Sequence, residues 1–195
     1  MKFTLKNLVE VQAGHPFRGS VPVVDDGNAY ALQMRDISPT GEVAWDGLTR
    51  TAVEVTKPVQ WLEPGDVVFV ARGGRNYAVC LKEVPKPTVC SQYFFLLRIK
   101  SPTLLSEFLS WQINRLPAQR YFASNAEGTD QLSIRRPILE AMQIAVPPLE
   151  SQQLIVALND AAVAEARQLH ALIRNRQSQL DALALSLFSN ESELT

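Results

Sequence analysis

Arginine and asparagine side chains that suit nucleic-acid chemistry cluster in one short loop. The apolar run Val67 to Ala71 is followed directly by Arg72-Gly73-Gly74-Arg75-Asn76. A guanidinium is the commonest reader of guanine and also pairs with phosphates, while an amide suits adenine. We therefore predict DNA contacts from four members of this loop: Arg72, Gly73, Arg75 and Asn76. A solvated hairpin tip without a ligand is the alternative interpretation of the same pattern.

A second polar group lies between positions 119 and 131. Its amide, hydroxyl and guanidinium groups can also bond to base edges. The predicted DNA contacts in this group are Gln119, Arg120, Thr129 and Gln131, with an ordinary polar surface as the alternative. Isolated cations that could steer phosphates are Arg18, Arg35, Arg50 and Lys57, although for each alone a plain surface position is the simpler interpretation. Two of them complete the predicted DNA-binding set, Arg18 and Lys57.

The charge is distributed unevenly along the chain. The formal net charge is −1, which argues against a generally basic coat for nucleic acid. Between positions 65 and 136, however, ten basic and five acidic residues give +5 (10 − 5). Phosphate contacts are therefore expected to concentrate in this central region.

The patterns that accompany common catalytic sites are missing. Gly73-Gly74 lacks the spacing and the Lys-Ser/Thr of a phosphate-binding P-loop. The two histidines and two cysteines have no recognisable metal-ligand spacing. No Glu-x-Lys of a metal-dependent nuclease occurs, and Val146-Pro147-Pro148-Leu149 lacks the Asn or Asp that precedes the prolines in DNA amino-methyltransferases. The sequence predicts a chain that is not an enzyme, with no cofactor and no metal of its own.

Predicted strands precede predicted helices along the chain. We expect strands at Ala29 to Met34 and Val67 to Ala71, a hairpin from the latter to Tyr77–Cys80, and a strand at Val89 to Ile99. Helices are expected from Ser101 to about Arg115 and from Gln119 to Phe122, followed by a short helix and a last strand within Ile138 to Val146. This order favours an α+β domain with a mixed β core over a doubly wound sheet.

The last quarter of the chain predicts one long helix. From Pro147 to Phe188 a diproline is followed by about 35 residues without Gly or Pro, with Ser151 as the expected N-cap. Apolar or small residues recur every seven positions and predict a partner helix, although a helix packed on its own domain is the alternative. Arg176 interrupts the stripe and is expected to pair across the helix interface with Asp181, Glu165 or an acid of the partner, or to lie where the helices splay. The predicted dimerisation residues are Ile155, Ala162, Ala166, Leu169, Ile173, Arg176, Leu180, Leu183 and Leu187.

Length and composition fit one globular domain with an appendage. The chain has 195 residues, 46% of them hydrophobic, which is enough to bury a core. Two cysteines and the lack of a secretory signal predict reduced thiols and a cytoplasmic protein. No apolar run approaches the roughly 18 residues that span a bilayer, so membrane insertion is not expected.

Three segments together resemble the DNA specificity subunit of type I restriction-modification systems. The first is Leu62 to Phe69, Leu-Glu-Pro-Gly-Asp-Val-Val-Phe, which the Arg72 loop follows. The second is Glu127 to Ser133, Glu-Gly-Thr-Asp-Gln-Leu-Ser, where the family has a Gly-Ser/Thr-x-Gln-x-x-Leu pattern. The third is Ile144 to Val156, close to the family's Pro-Pro-Leu-x-x-Gln-x-x-Ile helix entry. Each motif is weak alone, and their order over about 120 residues makes the resemblance specific.

The resemblance implies a domain layout and a two-fold assembly. Members of this family usually carry two target recognition domains, each followed by a long helix, with the two helices packed antiparallel. By this resemblance residues 1–146 form a target recognition domain, 147–188 a dimerisation and spacer helix, and 189–195 a flexible tail. The chain has one such domain and looks like a half subunit, so two copies would read a palindromic split site. A decayed or recombining cassette is a further interpretation.

The resemblance also implies the partners. These are double-stranded DNA, a second copy of the chain, a modification (methyltransferase) subunit that uses S-adenosylmethionine, and a restriction subunit. The family places the Thr129 and Gln131 loop beside DNA. The rival hypothesis is a protein interaction module that assembles a complex through its C-terminal helix and binds no DNA.

Overall fold

The computed structural model describes residues 2–38, 40–54, 58–128 and 132–190, without the side chains of 188–190. Within these ranges the chain forms nine strands and four α-helices. The strands are β1 (Lys2–Thr4), β2 (Val9–Ala13), β3 (Ala29–Leu32), β4 (Thr49–Thr51), β5 (Val67–Val70), β6 (Ala78–Cys80), β7 (Thr88–Cys90), β8 (Phe94–Ile99) and β9 (Gln143–Ala145). The helices are α1 (Ser106–Ile113), α2 (Leu116–Asn125), α3 (Arg136–Ala141) and α4 (Leu149–Asn190). The predicted α+β class with a long C-terminal helix is confirmed.

A four-stranded antiparallel sheet, ordered β2-β8-β5-β6, forms the centre of the fold. All four residues of β5 are buried because both faces of this strand are covered. Val67 and Phe69 belong to the main core with α1, α2 and α3, while Val68 and Val70 belong to a second core on the other face. Successive side chains of a strand alternate between faces, so two cores require an unbroken apolar run. The predicted strand and its hairpin to β6 are confirmed.

A three-stranded sheet, ordered β4-β3-β7, lies beside the second core. β7 runs parallel to β3, whereas β8 runs antiparallel to β2 and β5. The single strand predicted from Val89 to Ile99 is therefore wrong: a turn in which Phe94 N donates to Ser91 O at 3.1 Å divides it between two sheets. Both halves are apolar, so composition alone carried no sign of the break.

Helix α1 begins five residues after its predicted start at Ser101. Residues 101–104 form a turn, with Leu104 N donating to Ser101 O at 3.3 Å. Near its end the helix completes the hydrogen bonding of the edge strand β6. Asn114 accepts from Ala78 N at 2.9 Å and donates to Ala78 O at 2.7 Å, and Ser110 Oγ donates to the same carbonyl at 3.0 Å. These side chains occupy backbone groups that would otherwise be open to another strand.

Helix α4 begins at Leu149, so Ser151 lies within the first turn and is not the N-cap that we predicted. The chain divides into two compact units, Met1–Val156 and Ala157–Thr195. The first eight residues after the diproline thus belong to the globular unit, where Ile155 and Val156 pack against the main core. Residues 191–195, which include most of the predicted flexible tail, lie outside the described residues.

The side chain of Gln152, in the first turn of α4, bonds the start of this helix to the rest of the globular unit. It is fully buried, at 0% exposure. Its Oε1 accepts from Leu105 N at 3.0 Å, and its Nε2 donates to Thr103 O at 2.7 Å and to Pro147 O at 2.8 Å. The glutamine of the Pro-Pro-Leu-x-x-Gln pattern therefore bonds the start of α4 to the turn that precedes α1.

The two cysteines are not bonded to each other. Cys90 is buried and Cys80 is partly buried, and burial raises the pKa of the Cys90 thiol to about 12. Among the helices in the described ranges, none has the length and apolarity needed to cross a membrane.

Candidate nucleic-acid interface

The structure brings together the two loops from which DNA contacts were predicted. Gly73 N donates to Leu132 O at 3.2 Å, and Ile134 N donates to Ala71 O at 2.8 Å. Arg72 and Ser133 form an antiparallel bridge between these hydrogen bonds. Positions 72–76 thus lie beside the described residues 127–128 and 132–133, about 55 residues away in the sequence, and we call these two segments the paired-loop surface.

The base of the second loop is closed by a short antiparallel pair. Glu127 N donates to Ser133 O at 3.0 Å, and Ser133 N donates to Glu127 O at 2.8 Å. Glu127 and Ser133 are therefore fixed to each other, and Ser133 is also fixed to the first loop by its bridge with Arg72. The predicted contacts Thr129 and Gln131 lie outside the described residues, as does Lys57.

Arg72 and Arg75 are both exposed on the paired-loop surface. Among the described acidic side chains, none forms an ion pair with either guanidinium. Burial raises the pKa of the Tyr77 hydroxyl, and the charge of Arg75 partly opposes that rise. The two guanidinium groups are therefore exposed to solvent on a loop whose backbone is hydrogen-bonded to the second loop.

Asn76 has a structural role in the first loop. Its Nδ2 donates to Val70 O at 2.9 Å, which connects the end of the loop to the last residue of β5. Gly73, with φ +131, adopts a backbone conformation that side chains rarely permit. Asn76 and Gly73 thus shape the loop, while the arginines provide the groups that can reach a ligand.

A third segment contacts this surface, and it contains Arg35, which the sequence analysis named only as an isolated cation. A Cβ added to Gly73 would lie 3.6 Å from the sulfur of Met34, so Met34 packs against the first loop. The next residue, Arg35, has a 69% exposed side chain and donates from Nη2 to Thr49 Oγ1 at 2.8 Å. The same hydroxyl accepts from Gln33 Nε2 at 2.9 Å. Nothing in a single sequence joins position 35 to position 73.

The buried carboxylate of Asp36 contacts both Gln33 and Arg35 in this third segment. Its Oδ2 accepts from Gln33 N at 2.8 Å, and its Oδ1 lies 3.8 Å from Arg35 Nε. Burial raises the pKa of the Asp36 carboxyl, while the Gln33 hydrogen bond and the Arg35 charge lower it. Arg35 is therefore oriented by two neighbours, which reduces the conformational entropy that it would lose on binding a phosphate.

The other predicted DNA contacts that the structure describes differ in their exposure to solvent. Gln119 is partly buried and donates from Nε2 to Ile113 O at 2.9 Å, so it caps the end of α1. Arg120 is exposed on α2. Arg18 is exposed after Phe17, which packs in a small separate core with Val53 and Val89.

Two further arginines near the second loop have acidic partners. Arg135 Nη2 lies 2.7 Å from Glu127 Oε2, and Arg136 Nε lies 2.6 Å from Glu140 Oε1. Exposed ion pairs of this kind contribute little to stability and are screened by salt. Glu127 therefore reduces the positive charge at the base of the second loop without changing that of the first.

The predicted dimerisation residues of α4 are mostly exposed. Leu169 is 54%, Ile173 59%, Leu180 59%, Leu183 62% and Leu187 70% exposed. Ile155 differs because it is partly buried against the main core. In the single chain Arg176 donates from Nη1 to Gln179 Oε1 at 3.2 Å. The pairing of Arg176 across a helix interface stays a prediction. Scattered exposed leucines are ordinary, but a continuous line of them indicates a contact surface.

The described residues contain no group of three or more His, Cys, Asp or Glu side chains arranged to hold a metal ion. The two loops, their cations and the apolar helix are thus the candidate features for function.

Comparison with known proteins confirms the resemblance seen in the motifs. No protein-family model matches the chain. The chain is 24% identical over 155 residues to the type I restriction enzyme MjaVIII specificity subunit of Methanocaldococcus jannaschii, covering 76% of this chain and 36% of that protein. This chain therefore spans little more than a third of that relative.

Solved structures share the fold. The S subunit of a type I restriction-modification system from M. genitalium superposes with a TM-score of 0.58 and 15% identity, over 89% of this chain and 41% of that one. The HsdS subunit from Thermoanaerobacter tengcongensis gives 0.56 and 18%, over 85% of this chain and 39% of that one. A chain from a structure of a type I restriction-modification system superposes with a TM-score of 0.57 and 18% identity, over 93% of this chain and 42% of that one.

Proposed function

We propose that the chain is a sequence-specific DNA-binding specificity subunit that directs a type I restriction-modification methyltransferase complex to its target. The observation that carries the proposal is the paired-loop surface. Two backbone hydrogen bonds, which flank the bridge between Arg72 and Ser133, join the two loops selected for DNA contacts, and Arg72 and Arg75 are both exposed on the first loop. The name of the curated relative supports the same assignment.

The residues of this surface have different roles in the proposal. Arg72 and Arg75 contact base edges or phosphates, since their guanidinium groups have no described acidic partner. Asn76 and Gly73 hold the loop in shape. Thr129 and Gln131 contact DNA from the second loop, and Arg120, Arg18 and Lys57 add phosphate contacts around it.

Two copies of the chain assemble through α4 and read the two halves of a split, palindromic site. The exposed line of leucines on α4 supports this assembly, because it needs an apolar partner. Residues 1–146 are the reading domain, and residues 147–188 form the dimerisation and spacer helix. Identical readers related by a two-fold axis require identical half-sites in inverted order.

The chain itself is not an enzyme in this proposal. A separate modification subunit binds S-adenosylmethionine and transfers the methyl group, and a restriction subunit joins the complex. The specificity chain contributes the position of that chemistry on DNA.

The proposal is tested by the salt dependence of binding to duplex DNA. Neutralising each phosphate contributes about 0.9 to the slope of log K against log salt. The double variant Arg72→Ala/Arg75→Ala is expected to lower that slope by up to about 2, if both side chains contact phosphates. A matched control is Arg136→Ala, which removes a cation already paired with Glu140 at 2.6 Å and should leave the slope unchanged.

Two results contradict the proposal. A chain that binds no duplex at low salt would favour the rival interaction module that assembles a complex through α4. Equal slopes and equal affinities for the parent, the double variant and the control would exclude the paired-loop surface as the DNA contact.

A further inference from the structure

The exposed cation Arg35 lies on a segment that is fixed to the first loop of the paired-loop surface. The residue before it, Met34, packs against Gly73, because a Cβ added to that glycine would lie 3.6 Å from the Met34 sulfur. Met34 also packs against the second core, to which the strands on either side of the first loop contribute Val70 and Val79. The position of Arg35 is therefore tied to the first loop and to both of its strands.

The backbone around Arg35 directs its side chain to solvent. Residues 34–36 form a single turn of 3₁₀ helix, in which successive side chains are about 120° apart. Met34 is partly buried and Asp36 is 7% exposed, whereas the side chain of Arg35 is 69% exposed. The two buried neighbours thus fix the turn, and Arg35 is the member of the turn that a ligand can reach.

Two neighbours orient the guanidinium of Arg35 and leave most of it open. Thr49 Oγ1 accepts from Arg35 Nη2 at 2.8 Å. Asp36 Oδ1 lies 3.8 Å from Arg35 Nε, which is too long for a hydrogen bond, and Asp36 Oδ2 accepts from Gln33 N. A guanidinium has five N–H donors. Among the described residues only Thr49 accepts from one of them, so the other donors point to solvent from a side chain that is already held in place.

We infer that Arg35 contacts a phosphate of the DNA that the paired-loop surface binds, with Thr49 and Asp36 as positioning residues. A guanidinium can donate two parallel hydrogen bonds to the oxygens of one phosphate. Because its rotamer is restrained before binding, Arg35 loses less conformational entropy than a free surface arginine does. Phosphate contacts set the position of the protein on the duplex and carry no base information. The inference rests on the proposed function and adds one contact and its kind.

Arg50 provides a matched control for Arg35. It follows Thr49 on β4, and successive side chains of a strand lie on opposite faces, so Arg50 faces away from the Thr49 hydroxyl that holds Arg35. Arg50 is exposed, and its Nε donates to Gly27 O at 2.9 Å. Arg50→Ala therefore removes the same charge from the adjacent strand position without touching the Arg35 contacts.

The salt dependence of duplex binding tests the phosphate contact. Arg35→Ala should lower the slope of log K against log salt by about 0.9, so its affinity deficit relative to the parent should shrink about 3.5-fold between about 50 and 200 mM salt. Arg35→Lys keeps a positive charge and should retain the parent slope, and Arg50→Ala should retain it as well. Fluorescence anisotropy of the full chain with a labelled duplex of about 30 base pairs measures all four proteins. Urea midpoints verify that each variant is folded.

The positioning role of Thr49 is tested by the split between affinity and slope. Thr49→Val keeps the shape of the side chain and removes the hydroxyl, so it should weaken binding by about two- to tenfold while the slope stays that of the parent. Thr49→Ser restores the acceptor and should recover most of this loss. A Thr49→Val variant that binds like the parent overturns the positioning role, and so does a Thr49→Ser variant that binds no better than Thr49→Val.

Three results overturn the phosphate contact. The first is a parent slope in Arg35→Ala, and the second is an equal fall of the slope in Arg50→Ala. The third is an affinity loss in Arg35→Ala that differs about tenfold or more between two duplexes of unrelated sequence, because a base contact then replaces the phosphate contact. If the variant Arg72→Ala/Arg75→Ala lowers the slope and Arg35→Ala does not, this inference fails alone. A parent chain that binds no duplex overturns the proposed function together with it.

Discussion

Replacing Gln152 should destabilise the globular unit far more than its position in a surface helix suggests. Its side chain is fully buried, donates two hydrogen bonds and accepts one. Leucine has a similar volume but no polar groups, so Gln152→Leu leaves Leu105 N, Thr103 O and Pro147 O without this partner. Each hydrogen bond contributes about 0.5–1.5 kcal/mol net, and a group left unsatisfied costs about 1–3 kcal/mol.

The exposure of these partners sets the expected total. Thr103 is exposed and Pro147 partly so, and water can therefore replace part of the lost bonding. We expect a loss of about 3 kcal/mol in the free energy of unfolding. With an m-value of about 2 kcal/mol/M, the urea midpoint falls by about 1.5 M, which tryptophan fluorescence can follow.

The neighbouring Gln153 provides the control for this prediction. It is exposed on the same turn, so Gln153→Leu should change the free energy of unfolding by about 0.5 kcal/mol or less. Equal midpoints for the two variants would refute the argument that Gln152 bonds α4 to the globular unit.

Three further predictions concern other sites. Arg98→Ala removes the arginine that donates two hydrogen bonds to the carboxylate of Asp66, which is 3% exposed. This variant should lower the free energy of unfolding, measured in urea, by about 2–4 kcal/mol. The control Arg120→Ala, at an exposed position, should lower it by less than about 0.5 kcal/mol. Burial lowers the pKa of His15, so the unfolded chain binds more protons near pH 6 and stability falls as pH drops below about 6.5. His15→Gln should flatten that slope between about pH 5 and 7, and parallel slopes for the parent and His15→Gln would contradict this. Arg72→Ala should reduce discrimination between cognate and mismatched duplexes by about 1–3 kcal/mol if it reads a base, measured by competition binding, and unchanged discrimination would remove it from the reader.

The central strand and the long helix were predictable because their signals are local. Val67 to Val70 is an unbroken apolar run, and such a run is what a strand between two cores requires. Helix α4 follows a diproline and contains no residue that breaks a helix. The hairpin loop after β5 followed from glycine and arginine between two apolar segments.

The errors came from contacts between distant positions. The break between β7 and β8 depends on two sheets that accept different halves of one apolar segment. The late start of α1 depends on Gln152, 47 positions away, which occupies Leu105 N. The placement of Met34 against Gly73 likewise has no local signal. Single-sequence patterns record periodicity and turn chemistry, and they do not record which distant group completes a hydrogen bond.

The sequence selected the two loops of the candidate site, but it did not indicate that some of their side chains bond to the protein's own backbone. The two loops were selected separately, and the hydrogen bonds at Gly73 and Ile134 unite them. Asn76 and Gln119 were chosen for their amides, yet both donate to backbone carbonyls of their own unit. An amide suits a base edge and a backbone carbonyl equally well, so residue type alone does not separate the two uses.

The central claim, that this chain reads DNA as a two-fold specificity subunit, is tested most directly by selecting bound duplexes from a randomised pool. The purified chain is used alone and together with a co-expressed modification subunit, with the Arg72→Ala/Arg75→Ala variant in parallel. We expect enrichment of a motif made of two inverted half-sites separated by unspecified base pairs, and its loss in the variant. A pool that shows no enrichment under either condition would contradict the claim.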